Sequence, residues 1–184
     1  MKISEADILI APGIGNSPPE HWQRRWGARI ANARFIEQSD WDRPKLSDWV
    51  ATMHQEIMLS TRPVVLIGHS LAVLAIVHTA QLLADSKVRG AFLVSPPDPE
   101  GEAFPSEARS FGHVPTDPLP FPSMVVASSS DPYVTVTRAH DFAADWGAAF
   151  LLAGDAGHIN VASGHGPWPE GLLMFGELMK RLRA

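Results

Sequence analysis

An unbroken run of branched apolar residues, Val64-Val65-Leu66-Ile67, breaks at Gly68-His69-Ser70 and resumes at once as the Ala- and Leu-rich stretch Leu71-Ala72-Val73-Leu74-Ala75. The first run reads as a buried strand and the second as a helix, so the chain must turn sharply between them through small residues. Further apolar stretches at 8–11, 34–37, 90–95, 124–128 and 149–153 are separated by segments at helical spacing. Strands that alternate with longer helical segments form a parallel sheet with helical crossovers. The expected fold is therefore α/β, a six-stranded parallel sheet between helical layers, and 184 residues suit a single domain over 1–184.

The helical segments carry their own signals. Ser17, Pro18 and Glu20 form an S-x-x-E capping box for a first helix, with Trp22, Trp26 and Ile30 as its inward stripe. A second helix is expected over 47–59 with Val50, Met53 and Ile57 on one face, and a third from Ser70 through Leu74, Val77 and Leu82. Two more cover 137–146, with Phe142 and Trp146 inward, and 170–182, which ends in bases that suit the helix dipole. The proline-rich segment 95–122 reads as a long irregular loop, either a surface excursion or a rim facing substrate.

Composition removes several classes of function. Fifteen Lys and Arg against twenty Asp and Glu leave a net charge of −5, and the bases are scattered, so nucleic acid is not an expected partner. The absence of cysteine excludes disulfides, thiolate zinc sites and a cysteine nucleophile. The first seven residues hold two acids and no long apolar stretch, and the longest apolar run, Leu71 to Val77, is far too short for a bilayer. A soluble cytoplasmic protein without membrane contact is expected.

The chemistry is expected at the strand-to-helix break. In a G-x-S-x-G elbow the serine hydroxyl projects above the sheet edge and the next amide binds an oxyanion, and Gly68-His69-Ser70-Leu71-Ala72 has this form with Ala72 in the last place. Ser70 could also serve only as a helix cap. A serine nucleophile needs a histidine base and an acid, in the chain order Ser, Asp, His for such an architecture. Asp131 follows the fifth strand and Pro132 stops that strand, while His158 follows the sixth on a loop flanked by glycine. His165 competes as the base, and Asp117 and Asp155 compete as the acid. His21, His54, His69, His78 and His140 read as core or solvated side chains on or beside helices. Asp155, His158 and His165 match no specific metal-site spacing, so neither metal nor other cofactor is expected. The amide of Leu71 and that of Ile14, in the loop Ala11-Pro12-Gly13-Ile14-Gly15-Asn16-Ser17, are the expected oxyanion donors. That loop lacks the third glycine of a dinucleotide fingerprint and any Walker lysine.

Taken together, Pro12-Gly13, Asn16-Ser17-x-Pro19-Glu20-His21-Trp22, Trp41-Asp42-Arg43-Pro44, Asp48-Trp49-Val50, Gly68-His69-Ser70-Leu71, Ser95-Pro96-Pro97-Asp98, Ser129-x-Asp131-Pro132-Tyr133, Gly157-His158-Ile159-Asn160 and Gly166-Pro167-Trp168-Pro169 span nearly the whole chain. In these motifs the chain resembles the small serine hydrolases grouped with the YdeN protein and retinoblastoma-binding protein nine, of α/β-hydrolase fold. The resemblance implies strand order 2-1-3-4-5-6, Ser70 as nucleophile, Asp131 as acid, His158 as base, and a small ester or amide as substrate. Relatives carry glycine where Ala72 stands. The alternative is a catalytically silent protein-binding module on a hydrolase scaffold; the L-x-C-x-E peptide that binds retinoblastoma-type pockets cannot occur without cysteine.

Overall fold

The computed structural model describes residues 1–83 and 87–183. Six strands, β1 (Asp7–Ala11), β2 (Ala33–Phe35), β3 (Val64–His69), β4 (Val88–Val94), β5 (Ser123–Ala127) and β6 (Ala149–Leu152), pair in parallel in the order β2-β1-β3-β4-β5-β6. Five helices, α1 (Trp22–Gly27), α2 (Leu46–Leu59), α3 (Leu71–Ala80), α4 (Val136–Asp145) and α5 (Pro169–Arg181), cover the sheet. The expected architecture and strand order are both present. Strand limits differ from expectation by one or two residues, as strand ends commonly do.

Side chains alternate across the sheet, as the pleat demands. Leu9, Leu66, Leu93 and Val125 face one layer, with Met53 and Ile57 of α2, α3 and Phe142 of α4. Ile10, Ile67, Phe92 and Val126 face the other, with Trp22 and Trp26 of α1 and Phe175 of α5. Helix α3 is buried on almost every side because the sheet, α2 and the 95–122 loop all pack against it, which explains its unbroken apolar sequence. Among the described residues no helix is long and apolar enough to cross a membrane.

Several local expectations are corrected. The first helix starts at Trp22, capped by His21, whose Nδ1 accepts from the Gln23 N–H at 3.2 Å. Ser17 instead donates to Gln23 Oε1 at 2.7 Å, tying the loop after β1 to the helix. The helix ends at Gly27, so Ile30 lies beyond it and is only half-buried. On α2 the inward residue is Trp49 and Val50 is half-buried, because the N-terminal turn of α2 packs Trp49 against Trp41 and Phe111. Helix α3 stops at Ala80, leaving Leu82 exposed. The 95–122 segment is not a plain surface excursion: it contains a 3-10 helix over Ser106–Phe111 and buries Phe111, Leu119 and Phe121 in the core, while Pro97 and Pro105 line the cavity described below.

Two glycines of α5 separate helix propensity from packing. Nothing lies within 4 Å of a Cβ placed on Gly176, whereas a Cβ on Gly171 would meet the Trp168 ring at 2.3 Å. That ring stacks on Trp26 at 5.7 Å and is enclosed by Trp22 and Phe92, so it has no room to retreat. Gly176→Ala should therefore stabilise by about 0.5–1 kcal/mol, raising Tm by about 2 °C. Gly171→Ala should lower Tm, since overpacking of ~1–3 kcal/mol exceeds the propensity gain. Thermal melts of the two variants check the contrast, and a rise in both would refute it.

Candidate active site

The Ser70 backbone has φ 55° and ψ −130°, a conformation that side chains other than glycine rarely adopt. Its N–H donates to Val94 O at 2.9 Å and its hydroxyl makes no cap bond to α3. The capping role is thus absent, and the hydroxyl turns to His158, with Oγ 2.8 Å from Nε2. On the other side of the ring, Nδ1 lies 3.0 Å from both carboxylate oxygens of Asp131. A carboxylate only accepts, so Nδ1 carries the proton and Nε2 is left to accept from the serine. Asp131 also accepts from the Tyr133 N–H at 3.0 Å, and its side chain is fully covered. The Tyr133 ring meets the His158 imidazole edge to face at 4.6 Å.

The loops that carry the acid and the histidine are laced together. Ser128, almost fully buried, donates to Gly154 O at 3.2 Å and accepts from the Ala156 N–H at 2.9 Å. Ser130 Oγ accepts from the Gly157 N–H at 3.0 Å and donates to Asp155. Asp155 therefore faces Ser130 rather than the histidine, and Asp117 is exposed. His165 sits beside Ser163 and Trp168 and does not line the cavity at Ser70. Among the described residues no group of three or more His, Asp or Glu is placed to hold a metal ion.

The loop after β1 closes the opposite wall. A Cβ on Gly13 would lie 2.9 Å from Ser70 Cβ and 3.0 Å from His69 O, so only glycine lets this loop approach the elbow so closely. Ile14, Ser70 and Leu71 consequently share one cavity of about 260 Å³. Leu71 opens α3, where the first N–H groups have no partner within the helix. A Cβ on Gly68 would meet the terminal methyl of Ile76 at 2.6 Å, so that side chain would have to shift, while the Ala72 methyl is accommodated in the core.

Two residues read as bystanders from sequence belong to this site. His69 donates from Nε2 to His158 O at 2.9 Å, and Trp22 Nε1 donates to the next carbonyl, Ile159 O, at 2.9 Å. Two consecutive carbonyls of the histidine loop are thus held from below. His21 lines the cavity, with its ring 5.0 Å from that of His69. Burial first, then the charges of His158 and Arg24, lower the His21 pKa to about 4. Burial also holds His69 well below the usual range, with His158 and His21 adding to the effect. The position of His69 inside the elbow motif was a usable signal. His21 stands in the Pro19-Glu20-His21-Trp22 motif, but nothing local shows its approach to the cavity, which depends on the course of the loop after β1.

A family model for serine hydrolases matches residues 8–177. Comparison with curated proteins finds no match. Among solved structures, a YdeN-like hydrolase from Pectobacterium atrosepticum aligns with a TM-score of 0.86 and 33% identity, over 97% of this chain and 93% of that one. The ydeN gene product of B. subtilis aligns at 0.78 and 20% identity, over 96% and 100%. YbtT, a type II thioesterase from the yersiniabactin pathway, aligns at 0.68 and 15%, over 95% and 94%. The last two likenesses are of fold alone.

The low pKa of His21 makes stability depend on acid. Between about 4 in the folded chain and 6.5 when unfolded, the unfolded chain binds the extra proton, so stability present above pH 6.5 is lost as pH falls towards 4. Between pH 7.5 and 4.5 this histidine alone should remove about 2 kcal/mol. His21→Ser keeps a good helix cap and removes the titration, so urea denaturation should find its acid-induced loss smaller by about that amount. Equal acid sensitivity in the two proteins would contradict the assignment.

Proposed function

Since this chain belongs to the serine hydrolase family, we propose that Ser70, His158 and Asp131 are its catalytic residues and that it hydrolyses a small ester or amide through an acyl-enzyme. The observation that carries this reading is the continuous hydrogen-bond chain from Ser70 Oγ through both nitrogens of His158 to the covered Asp131 carboxylate. His158 takes the hydroxyl proton as Ser70 Oγ attacks the substrate carbonyl, and Asp131 stabilises the imidazolium. The N–H groups of Leu71 and Ile14 receive the oxyanion. His158 then protonates the leaving alcohol or amine, and later draws a proton from the water that releases the acid. No cofactor enters these steps.

A silent binding module would be expected to have a covered serine or a turn distorted by Ala72. Against that reading, Ser70 borders an open cavity and keeps a 2.8 Å contact to His158. The fold likeness to a type II thioesterase adds thioesters to the bonds worth testing, because the same attack serves any acyl carbonyl.

Ser70→Ala should abolish turnover of an activated short-chain ester and labelling by a fluorophosphonate; wild-type turnover in that variant would sink the proposal. Asp131→Asn should lower kcat/KM by orders of magnitude, up to ~10⁴-fold, because the isostere favours the wrong imidazole tautomer. Asp117→Asn and Asp155→Asn should stay within about tenfold, or ~1.4 kcal/mol of barrier. If Asp155→Asn proves the damaging change and Asp131→Asn the mild one, the acid is misassigned.

A further inference from the structure

None of the residues that line the cavity beside Ser70 is Lys, Arg, Asp or Glu. Ile14, Leu71, Pro97, Pro105, Val161 and Ala162 supply apolar surface. Arg24, behind this wall, donates to Asn16 Oδ1 at 2.9 Å and to Ser17 O at 3.0 Å, and lies 3.6 Å from Glu37. It is therefore already committed elsewhere. Of the imidazole rings at the cavity, His158 faces its own carboxylate and His69 is bonded to His158 O.

His21 differs from both. It is 3% exposed and lines the cavity, and its Nδ1 accepts from the Gln23 N–H, so the neutral ring carries its proton on Nε2. Among the described residues no group accepts from that Nε2–H. That nitrogen is not among the fully enclosed side-chain atoms left without a partner, so it stays accessible from the cavity, where water or a substrate oxygen can accept from it.

We propose, building on the reading of Ser70 as nucleophile, that the cavity takes a short uncharged acyl group whose chain carries an oxygen acceptor for His21 Nε2–H, and that it rejects acyl chains ending in a carboxylate or an ammonium. An ion placed there would shed part of its hydration and meet no side chain of opposite charge among the lining residues, which disfavours it against an uncharged chain of the same length. Size follows from volume. An apolar cavity of about 150 Å³ holds benzene, so about 260 Å³ holds on the order of ten non-hydrogen atoms. An acyl chain of roughly four to eight atoms, with the first atoms of the leaving group, fills it.

Four nitrophenyl esters of matched chain length test this: hexanoate, methoxybutyrate, the half-ester of glutarate, and aminopentanoate. With the wild-type chain, kcat/KM for the glutarate and aminopentanoate esters should be about 100-fold or more below hexanoate. In His21→Ser the ratio of methoxybutyrate to hexanoate should fall about fivefold or more relative to wild type, as expected for loss of one hydrogen bond. Because each ratio is taken within one protein, a general loss of activity does not move it. Charged esters within tenfold of hexanoate, or a ratio that His21→Ser leaves unchanged, would overturn the inference while Ser70-dependent turnover still stood. Hexanoate turnover that survives Ser70→Ala, or no turnover of any ester, would overturn the reading of Ser70 and this inference with it.

Discussion

Ser70 holds its left-handed backbone at a cost on the order of 1–3 kcal/mol, and the structure on either side leaves it no alternative. Strand β3 is paired on both edges, by β1 and β4, and the Ser70 N–H extends the β4 ladder to Val94 O. Helix α3 starts at the next residue and is enclosed by the core, so it cannot shift to relax the turn. Gly68 lets Ile76 approach from below and Gly13 lets the neighbouring loop approach from above. Asn16, Ser95 and Ile159, which follow β1, β4 and β6, also have positive φ. Backbone strain is thus gathered at the carboxyl ends of the strands, where the cavity lies, and the paired sheet beneath holds it.

The relation between the acid and histidine loops depends on hydroxyl groups rather than on sequence proximity. Strands β5 and β6 bring the two loops side by side; Ser128 and Ser130 then accept from the Ala156 and Gly157 N–H groups, and Gly154 O accepts from both the Ser129 N–H and the Ser128 hydroxyl. Asp131 and His158 meet across that seam although they are 27 residues apart. Asp155 is much closer to His158 along the chain, yet its carboxylate is taken up by Ser130 on the seam. Nearness in sequence therefore says little about which carboxylate meets an imidazole, whereas neighbouring parallel strands say a great deal.

Most of the sheet could be read from the chain because strands buried on both faces are continuous apolar runs, and Val64 to Ile67 is the clearest of them. Ser70 and Asp131 were legible for the same reason, each lying just past such a run, whereas His158 was marked by the glycine-flanked loop after the half-buried β6. What escaped was decided by neighbours rather than by local pattern. Ser17-Pro18-Pro19-Glu20 satisfies a capping pattern, yet Ser17 is drawn to Gln23 and the helix waits for His21. Spacing alone fits Val50 to the stripe of Met53 and Ile57 as well as Trp49, but Trp49 has Trp41 and Phe111 to meet. Leu82 continues an apolar pattern past the point where α3 has lost its cover. His21 could not be placed at the site until the loop after β1 had been folded back over the elbow.

The histidines around the cavity bear on where a proton can reside. His69 lies between the other two, its ring 5.0 Å from His21 and 5.0 Å from His158. Burial is the first cause that keeps His21 and His69 neutral, and the charge on His158 is the second. With both neighbours neutral, the charged side chain that His158 contacts is the covered carboxylate of Asp131. The apolar packing of Trp22 against His21 and His69 supplies that desolvation. An aromatic core residue of α1, with no polar contact to Ser70, thereby helps set the electrostatics in which the proposed base works.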